Sequence, residues 1–354
     1  MNILITQHSL QQRGGTEMYV YDLARKLIKN RHRVVVYSTQ LGKLAHDLMV
    51  ATVPVVDDLA KVQVRPDIIH GQHGFEVLTA LLHFPNTPAV YVLHDWAWIF
   101  DKPPLLNRIR KYIAVDETCF DRLVVREGIP ENRATILQNA VDLNRFAPRT
   151  PLPEKPKRAL VFSNYASNSS IDIIRAACDG VGLSVDLTGA QAGNSTEHPE
   201  QLLSRYDLVF AKGRCAREAL AVGCAVIVSD AQGIGQMVTS QNVACLARLN
   251  FGRRLLTSGH SMETTITELQ KYDAQDAAEA SGYIRENFGL DELVDRMVDI
   301  YRQAIEEFSR SEALNVEREY LQVSEYIRRW STEMATKHLK ANTSPLFKPV
   351  RKAA

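Results

Sequence analysis

Short β-branched runs alternate with amphipathic helical runs through the first 150 residues. That alternation restricts the chain to a parallel α/β sheet, because parallel neighbours need a crossover between them. Strands are predicted at 2–6, 33–38, 66–70, 89–93, 111–115 and 135–137. A helix is predicted over 16–30, where Met18, Leu23, Leu27 and Ile28 recur at helical spacing. Residues 147–157, APRTPLPEKPK, then break the composition and read as a linker. A second α/β set follows, with strands at 159–163, 184–187, 208–211, 224–228 and 243–246 and a helix over 170–178. Beyond 261 the pattern is helical to about 340, with amphipathic runs at 290–308 and 313–330. The expected organisation is a first Rossmann-like domain over 1–150, a second over 151–285, C-terminal helices over 286–340 and a disordered basic tail over 341–354.

A chain of 354 residues has room for two such domains. Lys plus Arg number 42 and Asp plus Glu 41, a balance that argues against a dedicated nucleic-acid binder. The five cysteines show no CxxC pairing and read as small core residues in a reducing compartment. The opening MNILITQHS carries no basic leader and no run is long enough to span a bilayer, so a cytoplasmic protein is expected. Any membrane contact is expected to be peripheral, at the inner face, through 96–111 or the basic tail.

The densest information lies in Tyr206 to Asp230, YDLVFAKGRCAREALAVGCAVIVSD. It reads as strand, glycine turn, helix, glycine stop and strand, with Gly223 suited to a left-handed cap. Glu218 is a carboxylate inside an otherwise apolar helix, which is costly without donors to satisfy it. Two ribose hydroxyls would supply them, and the turn at Lys212, Gly213 and Arg214 offers N–H groups to a diphosphate. The competing reading is a surface glutamate between solvated cations. In the first domain, Gly14 and Gly15 permit close approach of a ligand, and Thr16 is expected to cap the following helix. His94-Asp95-Trp96-Ala97-Trp98 follows the fourth strand at its carboxyl end, where open α/β sheets bind ligands. Trp96 and Trp98 suit a sugar ring, and with Lys102, Arg108, Arg110 and Lys111 they also suit a lipid-phosphate surface.

Together these segments resemble a GT-B glycosyltransferase of glycosyltransferase family 4, over roughly residues 1 to 308. Gly14 to Glu17 resembles the family's glycine loop over the donor, His94 its donor-sugar histidine, and Asn139-Ala140-Val141-Asp142 with Phe146 its Asn-Gly-Val-Asp…Phe segment. Gly213 to Val226 resembles its second glutamate segment, with Glu218 on the ribose, and 290–308 its crossing helix. The resemblance implies two Rossmann-like domains across a cleft, a nucleotide-sugar donor, retention of anomeric configuration, and no metal or other cofactor.

Departures accompany it. The family's first glutamate falls on Phe210, and its Arg/Lys pair falls in the loop Ser163-Asn164-Tyr165-Ala166-Ser167, which has no cation. The Gly-Gly-x-Pro-Glu loop has become Gln232-Gly233-Ile234-Gly235-Gln236. Lys212 and Arg214 are expected to replace the missing cations at the departing diphosphate, with Ser163 and Asn164 also at the donor. The expected function is sugar transfer to a hydroxyl of a glycan, a lipid-linked sugar or a small molecule, with His94 and Glu218 at the reacting donor and Trp96 and Trp98 on the acceptor side. The alternatives are a degenerate, non-catalytic partner subunit and, third, a nucleotide-sugar epimerase. Helix 313–330 is expected to bury its face within its own chain.

Overall fold

The structure, a computed structural model, describes residues 1–164, 167–189, 193–311 and 315–342. Tyr165 and Ala166 of the cation-free loop, and the tail from 343 onward, lie outside the described residues.

The first unit is a seven-stranded parallel sheet: β1 (Asn2–Thr6), β2 (Arg33–Tyr37), β3 (Val55–Val56), β4 (Ile68–Gly71), β5 (Ala89–Leu93), β6 (Ile109–Ala114) and β7 (Ala134–Ile136). Its spatial order is β3-β2-β1-β4-β5-β6-β7. The crossovers carry α1 (Gly15–Lys29), α2 (Lys43–Val50), α3 (Gly74–His83) and α4 (Glu117–Asp121). Strands buried on both faces explain the unbroken apolar runs; all five residues of β5, AVYVL, are buried. The order reverses between β1 and β4, which opens a crevice at their carboxyl ends.

The second sheet is formed by β8 (Arg158–Phe162), β9 (Ser184–Thr188), β10 (Leu208–Ala211), β11 (Ala225–Asp230) and β12 (Gly233–Met237), in the order β12-β11-β10-β8-β9. Its helices are α5 (Asn168–Asp179), α6 (Pro199–Leu203), α7 (Gly213–Val222), α8 (Val243–Arg248), α9 (Met262–Leu269) and α10 (Ala274–Asn287). The reversal here falls between β8 and β10. Gly223 ends α7 with φ 99°, a conformation that costs a residue with a Cβ.

Two sequence expectations are corrected. Residues 243–246 form the start of α8, not a strand; their Val-Ala-Cys-Leu spacing buries Val243, Leu246 and Ala247 on one helical face. Gln232 to Gln236, where the resemblance puts a loop, instead runs into an edge strand, Gly233–Met237, antiparallel beside β11.

α11 (Leu290–Ser309) crosses back to the first sheet. Leu293, Val294, Met297, Val298, Tyr301 and Ala304 enter the first core, and the Tyr301 hydroxyl meets His70 Nδ1 at 2.6 Å. The two crossings between the sheets bond to each other: Val141 N–H donates to the Phe288 carbonyl and Leu290 N–H to the Val141 carbonyl, both at 2.9 Å. α12 (Val316–Asn342) also lies on the first unit, through Tyr326 and Trp330 against Phe75.

α12 takes two cations out of the expected basic patch. Arg108 is buried; its Nε donates to Glu319 of α12 at 2.7 Å and its Nη2 to the Leu81 carbonyl at 2.7 Å. Lys102 is buried against Glu333 at 2.8 Å. Arg110 faces Glu307 and Lys111 donates to the Asn132 carbonyl. Arg108 and Lys102 thus hold helices and loops, while Arg110 and Lys111 stay partly exposed. No helix of the described residues is long and apolar enough to cross one.

Candidate functional site

Both reversal points carry residues expected at the site. At the second sheet, Ser163 and Asn164 follow β8 while Lys212 follows β10 and caps α7. Ser163 Oγ donates to Asp230 Oδ1 at 3.4 Å, and Lys212 Nζ pairs with the other oxygen of Asp230. Gly213 opens α7 with φ 60°, yet its N–H donates to the Phe251 carbonyl at 3.0 Å. It is therefore already satisfied, contrary to expectation. Arg214 and Cys215 supply the first-turn N–H groups, which have no carbonyl four residues earlier within the helix.

Glu218 is buried on α7 beneath that turn. Arg214 Nε donates to its Oε1 at 2.6 Å and Arg214 Nη2 reaches Asp22 of α1 in the first unit. Arg145 joins Asp22 at 3.2 Å. Burial raises the pKa of Glu218, and Arg214 and Arg145 oppose that rise. Burial works against the charge of Arg214, but Glu218 and Asp22 outweigh it and its pKa is raised. Neither Lys212 nor Arg214 is thus the solvated cation of the competing reading, and neither is waiting free for a diphosphate. Phe210, at the position of the missing glutamate, is buried inside β10. Sequence reasoning missed Asp22, which is a polar residue on the inward stripe of α1, beside Leu23.

Other ties span the crossing. Arg13 Nη1 donates to the Glu197 carbonyl at 2.6 Å, Arg248 to Glu117 at 2.6 Å and Arg254 to Asp121 at 2.6 Å. Asn139 lends its carbonyl to Arg217, a buried guanidinium on α7 that also lies 4.6 Å over the Phe288 ring. Burial lowers the pKa of Arg217 to about 9. Phe146 is fully buried in the second core, and Asp142 turns the chain by accepting from Asn144 N–H at 3.1 Å. A cavity of about 160 Å³ lies beside this crossing, lined by Gln138, Ala140, Phe288, Gly289 and Arg296.

At the first sheet, Gly14 is the N-cap of α1 and no side chain caps it. Thr16 does not cap: its hydroxyl accepts from Gln7 Nε2 at 3.3 Å and donates to Glu17 at 3.0 Å. Gly15 is exposed at the same mouth. The His94 ring lies edge-on to Tyr19 at 4.7 Å, and burial lowers its pKa to about 3, so it is neutral. Its backbone N–H and that of Asp95 both donate to Asp101, at 2.8 and 2.6 Å. Burial pushes Asp101 up to about 7. Trp96 and Trp98 remain 42% and 41% exposed. Trp96 lies under Arg253 of the second unit, 5.5 Å from the guanidinium carbon to the ring centre. Trp98 stands edge-on to His8 and His73 at 5.6 and 5.3 Å.

His8, His73 and Glu76 were not anticipated. His8 follows β1, His73 precedes α3 with φ 58°, and Glu76 sits in the first turn of α3, so all three line the β1/β4 reversal. His8 Nδ1 is 2.8 Å from Glu76 Oε1. The side-chain amide of Gln72, His73 Nε2, Glu76 Oε2 and His94 Nε2 are buried and find no hydrogen-bond partner among the described residues. A titratable residue two positions past a strand's carboxyl end was the signal available for His8.

The comparisons agree with this architecture. The model for Glycosyltransferase Family 4 matches residues 13–145. A crystal structure of Anabaena Alr3699/HepE in complex with UDP-glucose aligns with TM-score 0.65 at 16% identity, covering 86% of this chain and 100% of that one. A glycosyltransferase from Rickettsia africae ESF-5 aligns with TM-score 0.60 at 14% identity, covering 86% and 98%. A Listeria monocytogenes protein described as a UDP-N-acetylglucosamine 2-epimerase aligns with TM-score 0.53 at 14% identity, covering 89% and 99%. The search of curated proteins gives no match. The chain therefore has the GT-B fold, and its first unit carries the match to Glycosyltransferase Family 4.

Proposed function

We propose that the protein transfers a sugar from a nucleotide-sugar to an acceptor hydroxyl. The observation that carries this reading is the placement of the two polar clusters. One holds a buried carboxylate, Glu218, beside Lys212, Arg214 and a helix N-terminus; the other holds neutral histidines and two half-exposed tryptophans. Each lies at the reversal point of its sheet. The family match over 13–145 and the neighbour solved with UDP-glucose support it.

In this reading Glu218 accepts from the ribose, Arg214 and Lys212 turn to the diphosphate, and Gly14, Gly15, Asn139, Ser163 and Asn164 line the donor. His94 meets the sugar as a neutral imidazole, and Trp96 and Trp98 face a sugar-bearing acceptor. Retention of configuration is proposed with it, on the family resemblance, and is read from the anomeric signal of the product. In this reading Lys212 and Arg214 stabilise the charge on the departing diphosphate, with no metal required.

A second reading, a non-catalytic partner subunit, is favoured by the pairing of both cations with carboxylates. A thermal-shift panel of UDP, GDP, ADP, CDP and dTDP on wild type and Glu218→Ala separates the two. A ligand that binds the folded state raises its melting temperature by mass action. Transfer requires a shift selective for one nucleotide and lost in the variant. No shift with any nucleotide refutes it and supports the partner reading.

A further inference from the structure

Trp96 and Trp98 stand on the loop that leaves β5 at His94 and ends at Lys102, and both are half-exposed. Aromatic rings on a loop make a ready stacking surface only if the backbone beneath them is fixed. This backbone is fixed from three directions. Within the loop, Asp101 accepts from the N–H groups of His94 and Asp95, and Asp95 Oδ1 accepts from those of Ala97 and Trp98 at 2.6 Å each. From the π-helical turn Arg122–Arg126, Arg122 donates to the Asp95 and Trp98 carbonyls and Arg126 to that of Trp96 at 3.4 Å. From α12, the Tyr326 hydroxyl donates to the Lys102 carbonyl at 3.2 Å.

The cations of that turn are in turn held by acids tied to α12. Glu127 is buried and faces Arg122 at 3.3 Å, while its other oxygen faces Arg329 of α12 at 3.6 Å. Glu333 of α12 joins Arg126 at 3.2 Å and the buried Lys102 at 2.8 Å. Tyr326, Arg329, Trp330 and Glu333 recur at i, i+3, i+4 and i+7, so they share one face of the helix. Trp330 carries that face to Phe100 at 6.2 Å between ring centres, and Phe100 lies 5.2 Å from Trp98. Exposed ion pairs contribute little, so the hold rests on its buried members, Arg122, Glu127, Lys102 and Tyr326. Gly74 shows how closely they fit: a Cβ there would overlap both Tyr326 Oη and the Lys102 carbonyl oxygen. Glycine at this position lets α12, the end of the loop and the start of α3 meet.

We propose that α12 is the positioning element of the acceptor platform: through Tyr326, Arg329 and Glu333 it fixes the loop on which Trp96 and Trp98 stand. The assignment rests on the transfer reading above, in which those two rings face the acceptor. These three are positioning residues, because they act through the loop and not on the reacting atoms. An unheld platform must be ordered by the acceptor each time it binds, and that cost appears as lost acceptor affinity. With two rings to order, loss of the hold is expected to raise the acceptor KM by roughly 10–100-fold. The donor side is set elsewhere: His94 is anchored by Asp101 and packs on Tyr19, and Glu218 lies on α7 of the second unit.

The test is the double variant Tyr326→Phe/Glu333→Gln, which removes a hydroxyl and a charge while keeping the shape of the helix face. The chain's three tryptophans are Trp96, Trp98 and Trp330, so all of its indole fluorescence reports on this cluster. Acrylamide quenching is expected to rise in the double variant. It should keep the wild-type value in Glu325→Gln, whose partner Arg328 lies with it on the exposed side of α12. UDP release from UDP-glucose is then followed with methyl and octyl glycosides of glucose, galactose and mannose as acceptor probes. The double variant is expected to show the raised glycoside KM, with kcat, the KM for UDP-glucose and the UDP-induced thermal shift unchanged. That unchanged shift also shows that the variant is folded. Wild-type quenching in the double variant overturns the proposal. So does a glycoside KM within a fewfold of wild type, or a loss that falls on kcat alone. A wild type that is stabilised by UDP, yet whose UDP release responds to none of the glycosides, overturns the transfer reading and the acceptor role with it. The quenching comparison needs no substrate and still decides whether α12 holds the loop.

Discussion

Asp22→Asn removes the anion through which α1 holds Arg214 and Arg145. Breaking a buried ion pair by deleting one partner costs about 3–5 kcal/mol. The cost here is smaller, because Arg214 keeps Glu218 at 2.6 Å and the Arg145 side chain is 20% exposed. We expect a loss of about 2 kcal/mol in the ligand-free protein. The wild type must give up the Arg214–Asp22 contact before Arg214 can turn to a diphosphate. Asp22→Asn has already given it up, and a bound diphosphate supplies the missing anion. The cost therefore disappears in the complex and returns as affinity: at 1.4 kcal/mol per tenfold, the nucleotide Kd should tighten by roughly 10–30-fold. Scanning calorimetry of both proteins measures the first effect, and isothermal titration with the nucleotide selected by the thermal-shift panel measures the second. A variant that is less stable but binds the nucleotide equally or more weakly refutes the reasoning, since Arg214 then makes no contact with the diphosphate.

Arg108→Met should cost about 3–5 kcal/mol, because it leaves Glu319 and the Leu81, Phe84 and Thr87 carbonyls without their buried donor; adding Glu319→Gln should recover part of that loss in chemical denaturation. Asp101 is pushed up to about 7 by burial, so between pH 4 and 7 the native state holds a proton that the unfolded chain has released. Its contribution to stability therefore falls as pH rises through that window, by at most about 1.4 kcal/mol per pH unit, and denaturation of Asp101→Asn across pH 4–7 should show a flatter profile.

Much of the fold was legible in one dimension. Parallel strands buried on both faces must be written as apolar runs, and β1, β5 and β10 appear at their predicted positions because nothing else satisfies that pattern. Gly223 was legible for the same kind of local reason, since a left-handed stop needs a residue without a Cβ. Residues 243–246 were misread because four residues carry too little periodicity to separate strand from helix, and the packing of Val243 and Leu246 decided it.

The sites divided along the same line. Glu218, Lys212, His94 and Trp98 could be named from the sequence, because each is a polar or aromatic residue next to a strand end or inside an apolar helix. What each of them touches could not. Asp22 and Arg214 are separated by 192 positions, and Arg108 and Glu319 by 211. Arg108 reads as a surface cation until α12 lies over it, and His8 reads as an unremarked residue after a strand until α3 brings Glu76 beneath it. Sequence alone set the two sheets and the residues at their ends, because backbone periodicity and glycine geometry are local. Tertiary structure alone decided which charges are paired and which lone pairs are left open, because burial and electrostatic partnership depend on elements that meet only when the chain has folded.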